Sequence, residues 1–326
     1  MPEKKWIVYE ESQKGHRKEY ALFFSRLLDC AFIFGRGIKG YVRLLRSPHA
    51  LFSSCDDYLV FFTFLAAIRS VSGKKTLAIA TRPESVFKTD SLKLSIKKSL
   101  YSCIKRLPRV KVLSILPFYC EPRLKDLVDE WIYDPQFWDL KVMGYTPNKS
   151  CVPEISPFPS GTKMNIILPG KLSRRKGAEF MMDIYLNSAE VREKYDFILA
   201  GENQDISPEK IDLFREKGGY YLDRCPTEKE LLSFYDISHM IWCCYPEYFN
   251  HSSGIFGRAL QLRKRVIIRK GSYLDRMSIP DLMKRAVEYG NTGSAIYDIL
   301  SFGPSGNEVF EELSSLNKFK KIVQEL

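Results

Sequence analysis

Five short apolar runs recur along the second half of the chain with helix-length segments between them: MNIILPG (164–170), YDFILAG (195–201), GYYLDR (219–224), HMIWCC (239–244) and RVIIR (265–269). The first alternates too little for a strand with one solvated face and reads as a parallel strand buried on both. The intervening segments carry helix signals. GAEFMMDIYLNSAEVREKY reads as one helix, Ser207-Pro208 supplies a cap and a first-turn proline, and Thr227-x-x-Glu230 is a capping box. Strand–helix alternation at this spacing points to α/β architecture with a doubly wound parallel sheet.

The first half repeats the theme less cleanly. WIVYE (6–10) is a short strand, followed by a Gly-His turn and a helix over KEYALFFSRLLDCAFIF (18–34). KKTLAIATRPES and RVKVLSILPFY are strand-like, and each leads into a polar turn. Between them, Leu92, Ile96, Leu100, Ile104 and Leu107 form one helical stripe, with Lys93, Lys97, Lys98, Lys105 and Arg106 mostly off it. The proline-rich stretch 146–161 suits a linker rather than a helix. With 326 residues, 45% of them hydrophobic, two lobes follow: 1–155 and 156–326, the C-terminal helix being free to cross back to the first. The greasiest region, DDYLVFFTFLAAIRS, holds about ten consecutive uncharged residues where a membrane span needs about twenty, so it reads as a buried helix.

Charge is shared unequally. Residues 1–160 carry 26 basic and 16 acidic groups, the remainder 24 and 23. The positive field belongs to the first half and implies an anionic partner there: lipid, an acidic substrate or nucleic acid. The opening MPEKKWIVYEES is charged too early for a signal peptide. Eight irregularly spaced cysteines with no CxxC pair, and only four histidines, fit reduced thiols in a cytoplasmic protein better than a disulfide framework or a zinc site.

Two stretches could bind phosphate. In LPGKLSRRKGAEF (168–180), Gly170 ends a buried strand and Lys171 and Lys176 bracket the turn that follows, at the edge where open α/β sheets hold ligands. In NHSSGIFGRAL (250–260), Ser252, Ser253 and Gly254 precede a helix whose first amides can point at an anion. Taken locally, a solvated basic loop and an ordinary serine cap read the same way. Glu247 lies just before the second stretch and His239 begins an apolar strand, where a structural role suits it.

PGKLSRRKG resembles the GRLxxxKG turn that opens the carboxy-terminal lobe of family 4 glycosyltransferases of the GT-B fold. YDFILAGENQD, CPTEKELLSFYDISHMIW and SSGIFGRALQLRKRVII follow in that family's order. The resemblance covers about residues 163–277 and extends more weakly into the first lobe through KGHRKEYALFFSRLL. It implies two Rossmann-like parallel-sheet lobes facing a central cleft, an acceptor lobe first and a donor lobe second. It also implies a retaining, metal-independent transfer from a UDP- or GDP-linked sugar, with no further cofactor and no metal ligands.

Residue by residue, the resemblance implies that Gly170, Lys171 and Lys176 hold the diphosphate and that the lysines neutralise the departing nucleotide. Leu222 to Pro226, including Arg224 and Cys225, would bound the base. Gly15 and His16 would approach the transferred sugar and the acceptor, His16 counting among the catalytic candidates. Arg82 and Glu84, after a first-lobe strand, would face the same cleft as substrate contacts, Arg82 to phosphate or acceptor. The family's two glutamates, eight residues apart, are replaced by Asn250 and Arg258. Asparagine can still bind a sugar hydroxyl, whereas arginine cannot accept a hydrogen bond and would turn to a phosphate or an acidic sugar. An SSG ahead of this helix is similar to that of polysaccharide-synthesis members, which makes Ser253 and Gly254 donor contacts.

The implied setting is surface-polysaccharide or lipopolysaccharide synthesis. The acceptor would be a glycan or lipid-linked sugar at the inner face of a cytoplasmic membrane, met through basic amphipathic segments 32–47 and 92–107. Three competing readings are a non-catalytic GT-B-like binding protein, suggested by Asn250 and Arg258, a nucleic-acid-binding protein, suggested by charge alone, and a different phosphate-using enzyme on a two-lobed fold. The second lacks any recognition helix, RNP strand or zinc spacing, so no nucleic-acid partner is expected. Oligomeric state is left open.

Overall fold

The β-branched and aromatic runs become two parallel sheets of six strands each. The computed structural model describes residues 5–13, 16–35, 37–88, 91–145, 162–302 and 313–326, with the side chains of His16, Leu313 and Ser314 outside that description. Residue contacts divide the chain into two compact units, Met1–Gly144 with Glu312–Leu326, and Tyr145–Glu311. Gly15 and the proline-rich stretch 146–161, with the expected join near residue 155, lie outside the described residues.

The first unit contains β1 (Trp6–Glu10), β2 (Ala31–Phe34), β3 (His49–Phe52), β4 (Lys75–Ala80), β5 (Val110–Ser114) and β6 (Glu130–Trp131), in the order β2-β1-β3-β4-β5-β6. The helix expected over 18–34 stops at Leu27. Asp29 turns the chain at φ 45°, and Ala31–Phe34 pairs in parallel with Ile7–Glu10 instead. Ser25 fixes this corner, its hydroxyl donating to the Cys30 carbonyl at 2.6 Å.

The greasy helix, Leu59–Val71, is buried only along Leu59, Phe62, Leu65, Ala66, Arg69 and Ser70, while Val60, Phe64 and Val71 face outward. Arg69 is fully buried. It donates to the carbonyls of Leu44, Ser47, Pro48 and Lys75 and to Thr76 Oγ1, clamping the entries to β3 and β4. Burial lowers its pKa to about 10, so it stays charged at neutral pH. The C-terminal helix, Leu313–Glu325, packs in this unit: Phe319 lies against Phe24 and Trp138, and Lys318 pairs with Glu130 at 2.9 Å.

The second unit contains β7 (Met164–Pro169), β8 (Tyr195–Ala200), β9 (Tyr220–Leu222), β10 (Met240–Cys243), β11 (Arg265–Arg269) and β12 (Lys284–Val287), in the order β12-β11-β10-β7-β8-β9. The expected single helix after β7 is two, Ala178–Asn187 and Ala189–Lys194, because Ser188 is extended and caps the second through Val191 N–H at 3.1 Å. Phe180, Met181, Ile184 and Tyr185 join Ile166, Leu168, Phe197 and Trp242 in one core cluster. Among the described residues, no helix is long and apolar enough to cross a membrane.

Candidate functional site

In the second sheet the chain runs outward from β7 to β8 and β9, then returns to place β10 on the other side of β7. The strand order therefore reverses between β7 and β10, and the crevice outside the carboxyl ends of those strands is where such sheets bind ligands. Both phosphate-binding candidates lie at this point.

The basic turn is held by its glycines. Gly170 has φ 89°, and its N–H donates to the Ala200 carbonyl at 2.8 Å. A Cβ on Gly201 would stand 1.9 Å from the Gly170 carbonyl oxygen, so the ends of β7 and β8 meet backbone to backbone. Leu172 then pairs with the extension of β8, donating to Glu202 O at 3.0 Å and accepting from Gln204 N–H at 2.9 Å. Gly177 has φ 72°, and a Cβ there would lie 2.1 Å from the Cys244 carbonyl oxygen. The turn is thereby wedged between the ends of β8 and β10.

Lys171 is exposed, with its ammonium 3.9 Å from Glu202; the Cys225 thiol donates to the same carboxylate at 3.7 Å. Lys176 is half-buried. Its Nζ stands 5.0 Å from the Tyr245 ring centroid and 5.6 Å from that of Phe249, within cation–π range. The Tyr245 hydroxyl shares a 2.9 Å hydrogen bond with Ser253 Oγ. Ser253 caps the helix Gly254–Gln261 by accepting from Phe256 N–H. Ile255 Cδ1 lies 3.9 Å from the Cβ position of Gly170. The turn and the helix mouth thus meet through Gly170–Ile255 and through Lys176–Tyr245–Ser253. Ser253 spends its hydroxyl on the cap and on Tyr245. Ser252 Oγ and Ser173 Oγ are buried without a hydrogen-bond partner among the described residues.

The remaining second-unit candidates are engaged within the fold. Both oxygens of Glu230 accept from Arg224, at 2.8 and 2.6 Å, while the same carboxylate closes the capping box on Thr227 N–H at 2.7 Å. Arg224 first, with Thr227, pulls the Glu230 pKa down to about 2. Asn250 Oδ1 accepts from Tyr273 N–H at 2.8 Å. Arg258 is not presented to a phosphate: its guanidinium is buried and pairs with Glu228 at the start of the helix Glu228–Ile237. Glu247 is exposed in a single helical turn, and His239 Nδ1 accepts from Asn165 N–H at 2.9 Å, a structural contact. Tyr245, Glu202 and Ser173 escaped the sequence reading. Their signal was position alone, each falling within a few residues of a strand end.

In the first unit the order reverses between β1 and β3. Glu10 is buried there and accepts from Ser53 Oγ at 2.8 Å, Ser54 Oγ at 2.9 Å and Ser12 N–H at 3.1 Å. Its pKa is nevertheless raised, burial outweighing those donors. Asp56 accepts from Thr81 Oγ1 at 2.8 Å and Tyr101 OH at 2.6 Å. Neither carboxylate was singled out from sequence.

Arg82 is exposed beside β4. Glu84 is 2% exposed, has one oxygen without a partner among the described residues, and has its pKa pushed up by burial to about 8. It is a neutral buried acid at pH 7 rather than a charged contact. His16 begins the helix His16–Leu27. Among the described residues, no cluster of three or more His, Cys, Asp or Glu side chains could hold a metal ion, and seven cysteines are free.

No protein-family model matches the chain, and no curated protein does. Solved structures do. HepE from Anabaena in complex with UDP superposes with a TM-score of 0.70 at 9% identity, covering 98% of this chain and 100% of HepE. Sucrose-phosphate synthase from Thermosynechococcus elongatus gives 0.63 at 10% identity, over 98% of each chain. A UDP-N-acetylglucosamine 2-epimerase candidate from Listeria monocytogenes gives 0.58 at 11% identity, over 98% of this chain and 97% of that one. At these identities the likeness concerns architecture, which a transferase and an epimerase can share. The chain has the α/β architecture of the GT-B fold, with two parallel-sheet units.

Proposed function

We propose that this protein is a glycosyltransferase that moves a sugar from a nucleoside-diphosphate sugar to a glycan or lipid-linked acceptor. The reading rests on one observation: the Gly170–Gly177 turn, with Lys171 and Lys176, converges with the Ser252-Ser253-Gly254 helix mouth at the reversal point of the second sheet. HepE, a structure of the same fold, holds UDP and glucose in one of its complexes.

In this reading the second unit binds the donor. The helix amides and Ser252 hydroxyl donate to the diphosphate, and the two ammonium groups offset the charge that grows as the sugar C1–O bond breaks. The acceptor hydroxyl attacks C1 and gives its proton to the departing phosphate oxygen, which retains configuration and calls for no side-chain base and no metal. Leu222 to Pro226, with Arg224 and Cys225, borders the base. The first unit, with Gly15, His16 and Arg82, takes the acceptor. The setting is the inner face of a cytoplasmic membrane, in surface-polysaccharide or lipopolysaccharide assembly, with a UDP- or GDP-linked donor.

A thermal-shift series with UDP, GDP, ADP and CMP tests the donor site. One nucleotide should raise the melting temperature of the wild type, and raise it less in Lys171→Ala and Lys176→Ala. Folded variants that respond as strongly as the wild type would remove the assignment. The internal engagement of Asn250 and Arg258 favours one second reading, a GT-B-like protein that binds the nucleotide without turnover. Nucleotide release from a UDP- or GDP-sugar by the purified protein would dismiss it.

A further inference from the structure

Three helices of the first unit, Ile38–Arg46, Leu59–Val71 and Leu92–Lys105, contain seven basic residues besides the buried Arg69 and no acidic one. They connect β2 to β3, β3 to β4 and β4 to β5, all stepping the same way across the sheet. Parallel crossovers share one hand, so the three helices lie side by side on one face. Contacts agree, since the Tyr41 and Phe61 rings meet at 5.2 Å between the first and second helices.

The outward side of this layer is apolar as well as basic. Ile38 and Val42 project from the first helix, Val60, Phe64 and Val71 from the second, and Leu92 and Ile96 from the third; Phe64 is 64% and Leu92 80% exposed. The stripe read along 92–107 divides. Tyr101 and Ile104 pack inward, while its first two turns stay free. Between the second and third helices runs a groove of about 800 Å³, walled by Leu59, Val60, Phe64, Leu92, Ile96 and Leu100, with Lys93 and Lys97 on its rim. Asp57, also at the rim, is paired with Arg17. Exposed apolar side chains over such an area are unusual on a surface that meets only water. Apart from Asp56 and the Arg17-paired Asp57 at one end of the groove, the charge around them is positive.

We infer that this face docks on an anionic lipid bilayer, with a hydrocarbon chain of a lipid entering the groove between Leu59–Val71 and Leu92–Lys105. Lysines and arginines around apolar side chains match phosphate headgroups above acyl chains, and a groove open along one side fits a chain that stays tethered to the bilayer. The docking is independent of any transfer reaction, so it stands or falls apart from the donor site.

The test uses the full chain, vesicles of phosphatidylcholine alone or mixed with phosphatidylglycerol, and Phe64→Trp as a reporter. Flotation should occur with the mixed vesicles only. The reporter's emission should shift to the blue and be quenched when the lipids carry bromine on their acyl chains. Lys93→Glu/Lys98→Glu should lower partitioning by about tenfold or more. Lys217→Glu/Lys229→Glu, exposed positions of the second unit that change the net charge equally, should not. Circular dichroism confirms that each variant is folded. No flotation on anionic vesicles overturns the inference. So does flotation that both charge pairs weaken alike, or flotation with the Phe64→Trp reporter unquenched.

Discussion

The two units share six parallel strands and a reversal of strand order, yet they treat that reversal point in opposite ways. In the second unit the backbone is drawn tight by Gly170, Gly177 and Gly201, and the charged side chains Lys171 and Lys176 lie at the edge of the strand ends. In the first unit Glu10 stands at the corresponding strand ends and Asp56 beside the end of β4, each already surrounded by hydroxyl donors from its neighbours. One arrangement leaves the Ser252 and Ser173 hydroxyls without a partner among the described residues, and the other satisfies its carboxylates from within. The difference extends to the surfaces. Ten of the fourteen exposed large hydrophobic side chains among the described residues belong to the first unit, where the three acid-free helices also lie. A shared topology thus supplies the same position twice, and the residues at the strand ends decide what that position offers.

The glycine contrast gives the largest expected effect. Gly177 has φ 72° and no room for a Cβ, whereas Gly35, in the first unit, has φ 77° with nothing within 4 Å of its Cβ position. Gly177→Ala should cost about 3 kcal/mol or more, because strain and a collision with the Cys244 carbonyl act together. Gly35→Ala carries only the backbone cost, about 1 kcal/mol. Denaturant melts compare them directly, and equal losses would mean that the turn after β7 is not wedged as described.

Next come the lysines. Lys176→Ala should weaken binding of the stabilising nucleotide by about 10- to 100-fold, the range for a lost charge-assisted contact, and Lys171→Ala by less, since its more exposed ammonium is better screened. Arg82→Ala, in the first unit, should leave nucleotide affinity unchanged. Isothermal titration ranks all three, and a loss at Arg82 equal to that at Lys176 would erase the division of labour.

Two carboxylates, one in each unit, should also answer pH with opposite signs. Glu84 keeps its proton to about pH 8 when folded but would release it near 4.5 when unfolded. Stability is therefore fully present below about 4.5 and declines as pH rises toward 8. Glu230, held down to about 2 chiefly by Arg224, contributes stability above 4.5 that is lost as pH falls toward 2. Between pH 5 and 9 Glu84→Gln should remove a decline on the order of 1–2 kcal/mol, well below the full value of the shift because a buried carboxylate recruits water on ionising. Glu230→Gln should flatten only the acid limb. Melts across pH with the same slopes in wild type and Glu84→Gln would show that Glu84 is not buried as an acid.

Much of the second sheet was legible because its strands are apolar runs and its helices carry their own caps; the Thr227–Glu230 box forms as read. The first unit hid more. Ala31–Phe34 continues the composition of the helix before it, and only pairing with β1 makes it a strand. His49–Phe52 is four residues long, too short for a period to declare itself, and is held in place by strands on both sides. Local pattern also signalled the lysine turn and the serine cap, since both are written in consecutive residues. Partners distant in sequence were invisible: Tyr245 with Lys176, Glu228 with Arg258, and Ser53 and Ser54 with Glu10.

Asn250 offers the finest comparison, because it sets a side chain spent on the fold against one proposed to serve a ligand within the same few residues. Its Oδ1 accepts from Tyr273 N–H and holds the turn that enters the helix Tyr273–Arg276. Asn250→Ala should cost about 1 kcal/mol of stability, the usual worth of one such bond. Asn250→Asp keeps an acceptor at that position and should cost less. Nucleotide affinity should be the same in both variants, whereas Ser252→Ala, which removes a buried hydroxyl that no described group occupies, should lower affinity and leave stability intact. In the first unit Ser54→Ala should behave like Asn250→Ala, since its hydroxyl serves Glu10. If Asn250→Ala instead weakens nucleotide binding with no change in the melt, the asparagine belongs to the ligand, and Tyr273 finds its acceptor elsewhere.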